Sequence, residues 1–299
     1  MTSSPVTVLF NPAAARGRAA RRIHAVRAEF ERYGLAHTLR ASAARGDIER
    51  AVHDAVRAGE RRIVVAGGDG SIHEAVNGLL RAGGGAALGI VPLGTGNDTA
   101  KACDLPLNGA DAAAQLAERI ANGIPARAID VGCLNGRYFV NGAGIGFDAR
   151  VSAIAERIRL PIGDLVYLAA VLRGLADGVS TPPLRLSFDG EERYGPLTFA
   201  NFSNGAWVGG MFPIAPMARN DDGVLDLVTA APLSRLGVLR LLPRLLRGRH
   251  MAHAAMRHAA VTACRVVADA PLVSHLDGEV QAATDVFEVR LAAGGLQLL

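Results

Sequence analysis

The chemistry legible in this chain sits in a few glycine-rich and acidic clusters, of which Ile63-Val-Val-Ala-Gly-Gly-Asp-Gly-Ser-Ile-His-Glu74 is the most informative. An apolar run that opens into glycines and then into a helical pattern lets backbone N–H groups approach a ligand closely. The start of the helix adds roughly half a positive charge. That combination is a phosphate cradle. Ser71 and Glu74 stand at Ser-x-x-Glu spacing, which predicts a capping box. Asp69 differs, because a carboxylate among phosphate-binding amides is repulsive unless a cation or a proton-transfer role offsets it; the plainer reading is a turn-forming Asp. Pro92-Leu-Gly-Thr-Gly-Asn-Asp98 follows the next apolar run. Ligands in open α/β sheets bind outside the carboxyl ends of strands, so these two loops should share a crevice, which Asn11-Pro12-Ala-Ala-Ala-Arg-Gly17 would join. Asp277-Gly-Glu279, ahead of a strand Val286 to Leu291, reads by itself as a hairpin turn.

The elements that must position these loops follow from periodicity. Val6 to Phe10 is a short apolar strand, and Ile23, Val26 and Phe30 recur at helical spacing within Ala19 to Tyr33. A strand near Ala36 to Arg40, a helix around Asp47 to Arg57, the run Ile63 to Ala66, a helix Ser71 to Arg81, the run Leu88 to Val91 and a helix Asp111 to Asn122 continue the alternation, which predicts a parallel sheet covered on both faces. Beyond 123–130 the apolar runs shorten, as at Leu184 and Leu197, and an antiparallel β-rich half is expected. This places domains at 1–128 and 129–299, with the last residues able to return to the first. Helical pieces are expected within Arg150 to Asp177 and over Leu233 to Arg247, with a further stretch to His258. Leu236 to Leu246 interleaves leucines with Arg235, Arg240, Arg244, Arg247 and Arg249, with Pro243 bending it. Such a segment could rest on an anionic lipid surface; the plainer reading, favoured by composition alone, is an ordinary helix packed on the sheet with solvated arginines. Gly142-Ala-Gly-Ile-Gly146 loosely resembles a dinucleotide fingerprint, but its third glycine comes one residue early, and tight backbone packing is expected there.

Composition narrows the field. The chain has 299 residues, half of them hydrophobic, and a net charge of +4, which describes a globular protein with a sizeable core. Aromatics are 5%, so a stacking-based nucleic-acid binder is disfavoured. Lys101 is the single lysine, so a phosphate loop that depends on lysine is ruled out. Cys103, Cys133 and Cys264 form no C-x-x-C pair, which points to neither a disulfide framework nor a zinc knuckle, and a reducing cytoplasm fits. The N-terminus carries no secretory pattern. The longest uncharged run, Tyr194 to Ala218, is broken by glycines and prolines and reads as strands and turns.

Taken in order, Asn11-Pro12 with Arg16-Gly17, Gly67 to Glu74 with Asn77-Gly78, Pro92 to Asp98, Asp130-Val-Gly132, Asn220-Asp-Asp-Gly-Val-Leu-Asp226 and Asp277-Gly-Glu279 resemble the diacylglycerol kinase catalytic-domain family. The likeness covers nearly the whole chain and is greatest to the soluble bacterial lipid kinases, which also resemble sphingosine kinases. Gly-Gly-Asp-Gly alone is shared with NAD kinases; the six motifs in sequence are specific. The resemblance implies an α/β N-terminal domain with a parallel sheet of the NAD kinase/phosphofructokinase kind, followed by a C-terminal antiparallel β-sandwich domain with helical insertions. It implies an ATP- and Mg²⁺-dependent kinase acting on a hydroxyl of diacylglycerol or a related lipid. ATP would be held by Asn11, Pro12, Ala13, Ala14 and Ala15, by Ser42, by Gly67, Gly68, Asp69, Gly70, Ser71, Ile72 and His73, and by Thr95 and Asp98. Glu279 would be the general base, with Asp69 and Asp277 as further catalytic acids. Mg²⁺ would take the Asp222 carboxylate and the backbone carbonyls of Arg219 and Val224, while Asp69, Asp98 and Asp130 would serve the catalytic metal and hydrogen-bond network.

Several residues depart from the family pattern: Ser71 for Thr, His73 for Asn, Ala15 for Gly and Thr99 for Phe. Two other readings compete. An NAD kinase-like enzyme is opposed by Pro92 to Asp98, and a non-catalytic nucleotide- or membrane-binding module by the carboxylates at 69 and 279. The expected partners are ATP, a lipid acceptor and an anionic membrane surface, without nucleic acid, in a cytoplasmic and peripherally membrane-associated protein. A homodimer is compatible with the sequence. The acceptor itself is hidden, because residues lining an acyl pocket look like core.

Overall fold

A computed structural model of the chain describes residues 5–158, 163 and 165–299. It divides into two compact units, 1–130 with 294–299, and 131–293. Along the first run β1 (Val6–Phe10), α1 (Ala19–Arg32), β2 (His37–Ala41), α2 (Asp47–Arg57), β3 (Arg62–Gly67), α3 (Asp69–Arg81), β4 (Ala87–Pro92), α4 (Asp98–Ala102) and α5 (Gly109–Ala121). Its parallel strands lie in the order β2-β1-β3-β4, and Gln297 and Leu298 add a further parallel partner beside β4. Ile63, Val64, Val65 and Ala66 are wholly buried, as expected of a strand covered on both faces. On α1 the spacing of Ile23, Val26 and Phe30 delivers one apolar face to this core. Each such side chain contributes about 1.5–3 kcal/mol on burial.

The predicted capping box is corrected. The residue ahead of α3 is Gly68, in an extended conformation and without a side-chain cap, so Ser71 and Glu74 both lie inside the helix. Glu74 instead reaches the neighbouring helix: its Oε1 accepts the Gly46 amide at 2.8 Å and its Oε2 the Ile48 amide at 3.2 Å. It therefore satisfies orphan donors at the start of α2. Asp47 serves the preceding loop, accepting the Ala43 and Ala44 amides at 2.8 Å each, and those bonds hold its carboxyl below the usual range.

The second unit begins within β5 (Arg127–Leu134) and continues through β6 (Arg137–Phe139), β7 (Gly142–Gly146), α6 (Phe147–Ala155), α7 (Leu165–Asp177), β8 (Pro183–Phe188), β9 (Glu191–Pro196), β10 (Phe199–Ser203), β11 (Trp207–Val208) and β12 (Phe212–Pro213). It goes on with β13 (Leu225–Ala230), α8 (Arg235–Leu245), β14 (Met256–Val261), β15 (Ala263–Leu272), β16 (Ser274–Leu276), β17 (Glu279–Val280) and the early part of β18 (Thr284–Leu298). One antiparallel sheet has the order β14-β13-β10-β7-β16-β17. In the other, β15 lies between β8 and β18, with β9 at the edge beyond β8. Phe139, Phe202 and Phe287 are fully buried in the core of this sandwich. The stretch toward His258 is a short 3₁₀ turn, His250–Ala252, and then strand β14, because Met256 and Val261 continue the sheet ladder. Part of the helical expectation over Arg150 to Asp177 falls on 159–162 and 164, outside the described residues.

His250 is wholly buried, with its Nε2 on the Ile214 carbonyl at 2.9 Å and no partner for Nδ1. Burial lowers its pKa from 6.5, with the Ile214 bond acting weakly the other way. The neutral ring is the form the fold accepts, so its contribution is fully present above about pH 6.5 and is lost as pH falls through the folded-state value. His250→Gln keeps a donor for Ile214 without the titration. Thermal denaturation should show wild type more stable than the variant at pH 7 by about 1 kcal/mol, with the gap closing toward pH 5; a gap that widens on acidification contradicts this account.

Candidate functional site

In the first unit β2 and β3 flank β1, so the chain moves off in opposite directions from β1 and opens a crevice at the carboxyl ends of β1 and β3. The loop after β1 turns tightly: Asn11 Oδ1 accepts the Ala13 amide at 2.9 Å, and Ala15, Arg16 and Gly17 are all left-handed, at φ 47°, 59° and 83°. Ala15 carries the strain that a glycine there would avoid. The Asn11 amide donates to Ala66, which ties this loop to the end of β3.

The loops after β3 and β4 meet backbone to backbone. A Cβ on Gly94 would lie 2.5 Å from Gly68 Cα and 2.7 Å from Asn97 Oδ1. Asp69 draws the next helix to the same place, accepting the Thr99 amide at 2.9 Å. Thr95 is exposed at the loop tip, while Asn97 is left-handed with a buried Oδ1 that has no hydrogen-bond partner. Asp98 is paired with Lys101 at 3.1 Å and both are largely buried. Asp130 accepts the Gly294 amide at 2.6 Å, where the chain re-enters this unit.

Several of the expected residues keep their side chains inside the unit. Ile72 is wholly buried and His73 is 2% exposed against Asn77, so both side chains belong to the core and only their backbone amides lie at the helix start. Ser71 is buried against Gly67. Asn11, Pro12, Ala13, Ala14, Ala15, Gly68, Gly70 and Thr95 are at least partly accessible, whereas Gly67 is buried. Ser42 continues the ladder by donating its amide to Phe10 and helps line a polar cavity of about 280 Å³ with Arg40, Asp47 and Arg50.

In the second unit Asp277 is left-handed at φ 52°, with Oδ1 accepting the Asn141 and Gly142 amides at 2.8 and 3.1 Å and Oδ2 the Val140 amide at 3.0 Å. Three amides on one carboxylate make it the anchor of the Asp277-Gly-Glu279 turn. Glu279 follows at the start of β17, partly exposed. The glycine-rich β7 is a central strand, and its packing role is clear at Gly144, where a side chain would collide with both Asp148 and His275. His275 is buried, with the Gly278 amide donating to its Nδ1 at 3.3 Å and its Nε2 3.5 Å from Asp148. Asn201 donates to that same Asp148 oxygen at 3.0 Å.

Asp148, Ser152 and Asn201 form the polar side of an apolar pocket of about 90 Å³, whose other walls come from Tyr167, Val171, Phe212 and the inner face of α8. The Ser152 hydroxyl is buried without a partner, and Tyr167 Oη lies against Gly278. Sequence reasoning missed this pocket. Its available signal was an acid two residues after the Gly-x-Gly-x-Gly strand. In the loop before β13, Arg219 pairs with Asp221 at 3.2 Å, while exposed Asp222 accepts the Val224 amide at 3.3 Å. Asp226 is buried on His258 at 2.5 Å; burial raises its pKa and His258 draws it back. Among the described residues no three His, Cys, Asp or Glu side chains converge as a metal cluster. One carboxylate with two carbonyls is a different, all-oxygen donor set, which suits Mg²⁺ completed by water and phosphate.

The family model for the diacylglycerol kinase catalytic domain matches residues 5–132, and that for the YegS C-terminal NAD kinase beta sandwich-like domain matches 142–299. A diacylglycerol kinase from Mycobacterium tuberculosis is 33% identical over 297 residues, covering 95% of this chain and 94% of the relative. One from Bacillus subtilis is 29% identical, covering 91% and 88%. A crystal structure of a Bacillus anthracis protein assigned to the diacylglycerol kinases shares the fold, with a TM-score of 0.80 at 21% identity over 100% of this chain and 98% of that one.

The close approach of the two glycine loops gives a direct test. Gly94→Ala must push the loops apart, which should cost about 1–3 kcal/mol in urea denaturation. Unchanged stability would show that the loops do not need this contact.

Proposed function

The chain belongs to the diacylglycerol kinase family, and from that premise we propose that it is an ATP- and Mg²⁺-dependent lipid kinase that transfers the γ-phosphoryl group to a hydroxyl of diacylglycerol or a related lipid. The observation that carries this reading is the apolar pocket of the second unit, whose wall residue Tyr167 rests against Gly278 in the Asp277-Gly-Glu279 turn. Apolar walls suit an acyl chain, and the Asp148 carboxylate with the unpartnered Ser152 hydroxyl offers hydrogen bonds to the oxygens of a glycerol backbone. At about 90 Å³ the interior has room for roughly three waters' share of liquid volume, so a full chain enters only as the side chains of α7 and α8 move apart.

Phosphoryl transfer asks mainly for positioning and for neutralisation of charge on the moving group. The backbone amides after β1 and at the start of α3, with Thr95, would hold the triphosphate. Glu279 would take the proton of the acceptor hydroxyl as that oxygen bonds to the γ-phosphorus and the bond to the bridging oxygen breaks, leaving ADP. Asp277 keeps the turn in place, and Asp69 keeps α4 against α3. The metal, when bound, neutralises phosphate charge, and the residues that would hold it are Asp222 through its carboxylate and Arg219 and Val224 through their carbonyls. Lys101 is committed to Asp98, so cationic help from a side chain falls to an arginine such as Arg16.

The test is purified protein with labelled ATP and Mg²⁺, offered a panel of lipids or NAD, with mass spectrometry of the product. Label should enter a phospholipid; label in NADP alone sinks the reading. Glu279→Gln should lower kcat by about 100- to 10,000-fold with ATP affinity retained. Val238→Trp, which narrows the pocket from α8, should raise KM for long acyl chains more than for short ones.

A further inference from the structure

We propose that the outer face of α8, together with exposed leucines of α7, docks this protein on an anionic bilayer and so sets the roof of the acyl pocket against the membrane. No helix among the described residues is long and apolar enough to cross a membrane, so the contact would be peripheral. Helix α8 has three stripes. Val238, Leu241, Leu242 and Leu245 turn inward and line the pocket. Leu236, Leu239, Pro243 and Leu246 recur at i, i+3, i+7 and i+10, one face of a helix, and Leu236 and Leu239 are 52% and 48% exposed. Arg240, Arg244 and Arg247 form the adjoining stripe at i, i+4 and i+7 and are exposed.

The charge on that stripe is uncompensated. Among the described residues, none of Arg235, Arg240, Arg244, Arg247 and Arg249 makes an ion pair, whereas arginines elsewhere, at 27, 32, 185, 193 and 265, do. Leu165 and Leu172 lie seven residues apart on α7 and are 51% and 48% exposed. The two helices pack together over the pocket through a shared apolar cluster. A soluble protein partner would call for a shaped, hydrogen-bonding surface. A run of half-exposed leucines bordered by guanidinium groups that make no ion pair among the described residues matches an interface of acyl chains and anionic headgroups.

The purpose of the contact rests on the lipid kinase reading, but its test does not. Co-sedimentation, without ATP, with vesicles of equal parts phosphatidylglycerol and phosphatidylcholine should show binding at about 50 mM salt that falls roughly tenfold at about 500 mM as the charges are screened. Leu236→Glu with Leu239→Glu, and separately Arg240→Glu with Arg244→Glu, should each lower partitioning by about tenfold or more, with circular dichroism and kinase activity on a dispersed short-chain acceptor unchanged. The proposal is overturned by absence of binding at low salt, or by variants that bind as wild type does. It also fails if sedimentation velocity reveals a dimer that the leucine variant dissolves, since the face then covers a second copy. A protein that binds vesicles yet phosphorylates no lipid would refute the activity and leave the docking face standing.

Discussion

The first unit depends on a contact between two stretches of bare backbone. Gly94 comes so close to Gly68 that a side chain at 94 would collide with the backbone of the other loop, and this proximity brings the starts of α3 and α4 to one sheet edge. Two carboxylates extend the arrangement. Asp69 holds the first amide stretch of α4, and Glu74 satisfies the leading amides of α2. The beginnings of two helices, α2 and α4, are thereby pinned by side chains of a third, α3. The phosphate-binding role proposed for this surface calls for no lysine, in keeping with a chain whose one lysine is paired with Asp98.

The second unit uses the same device for a different end. Without a side chain at Gly144, the strand β7 admits Asp148 and His275 against its backbone. His275 then accepts the Gly278 amide while Asp277 collects the amides of 140–142, so one glycine-rich strand positions both the polar side of the pocket and the turn that presents Glu279. The residues around the proposed base are thus mostly occupied in holding it. That division of labour sets the anchoring carboxylate of Asp277 beside the carboxylate proposed as the base.

Helix α8 couples the pocket to its surroundings. Its inward residues are apolar because they cover a cavity, and its outward leucines lie beside arginines that make no ion pair among the described residues. A helix packed only on a sheet would bury one stripe and expose polar groups on the rest. The extra apolar stripe is what sets α8 apart from α1, whose outward face carries Arg27–Glu31 and Arg32–Glu29 pairs.

Much of this architecture is legible from the chain alone. The alternation of apolar runs with helical spacing announces the parallel sheet, since burial on both faces demands continuous Val, Ile and Ala as in Ile63 to Ala66. Motif order likewise indicates the family, and Asp47 to Arg57 reads as the helix it is. What tertiary structure alone decided are the partners of individual polar groups. Ser-x-x-Glu spacing points to a local cap, yet Glu74 serves a helix 26 residues away because α2 crosses α3 there. The His73 side chain is buried against Asn77, and Asp148 and Ser152, which no motif singled out, line a pocket. Periodicity reports only which face of an element is buried, a property of neighbours two to four residues apart. Which atoms meet across that face depends on residues brought together by the fold, and their separation along the chain leaves no spacing to read.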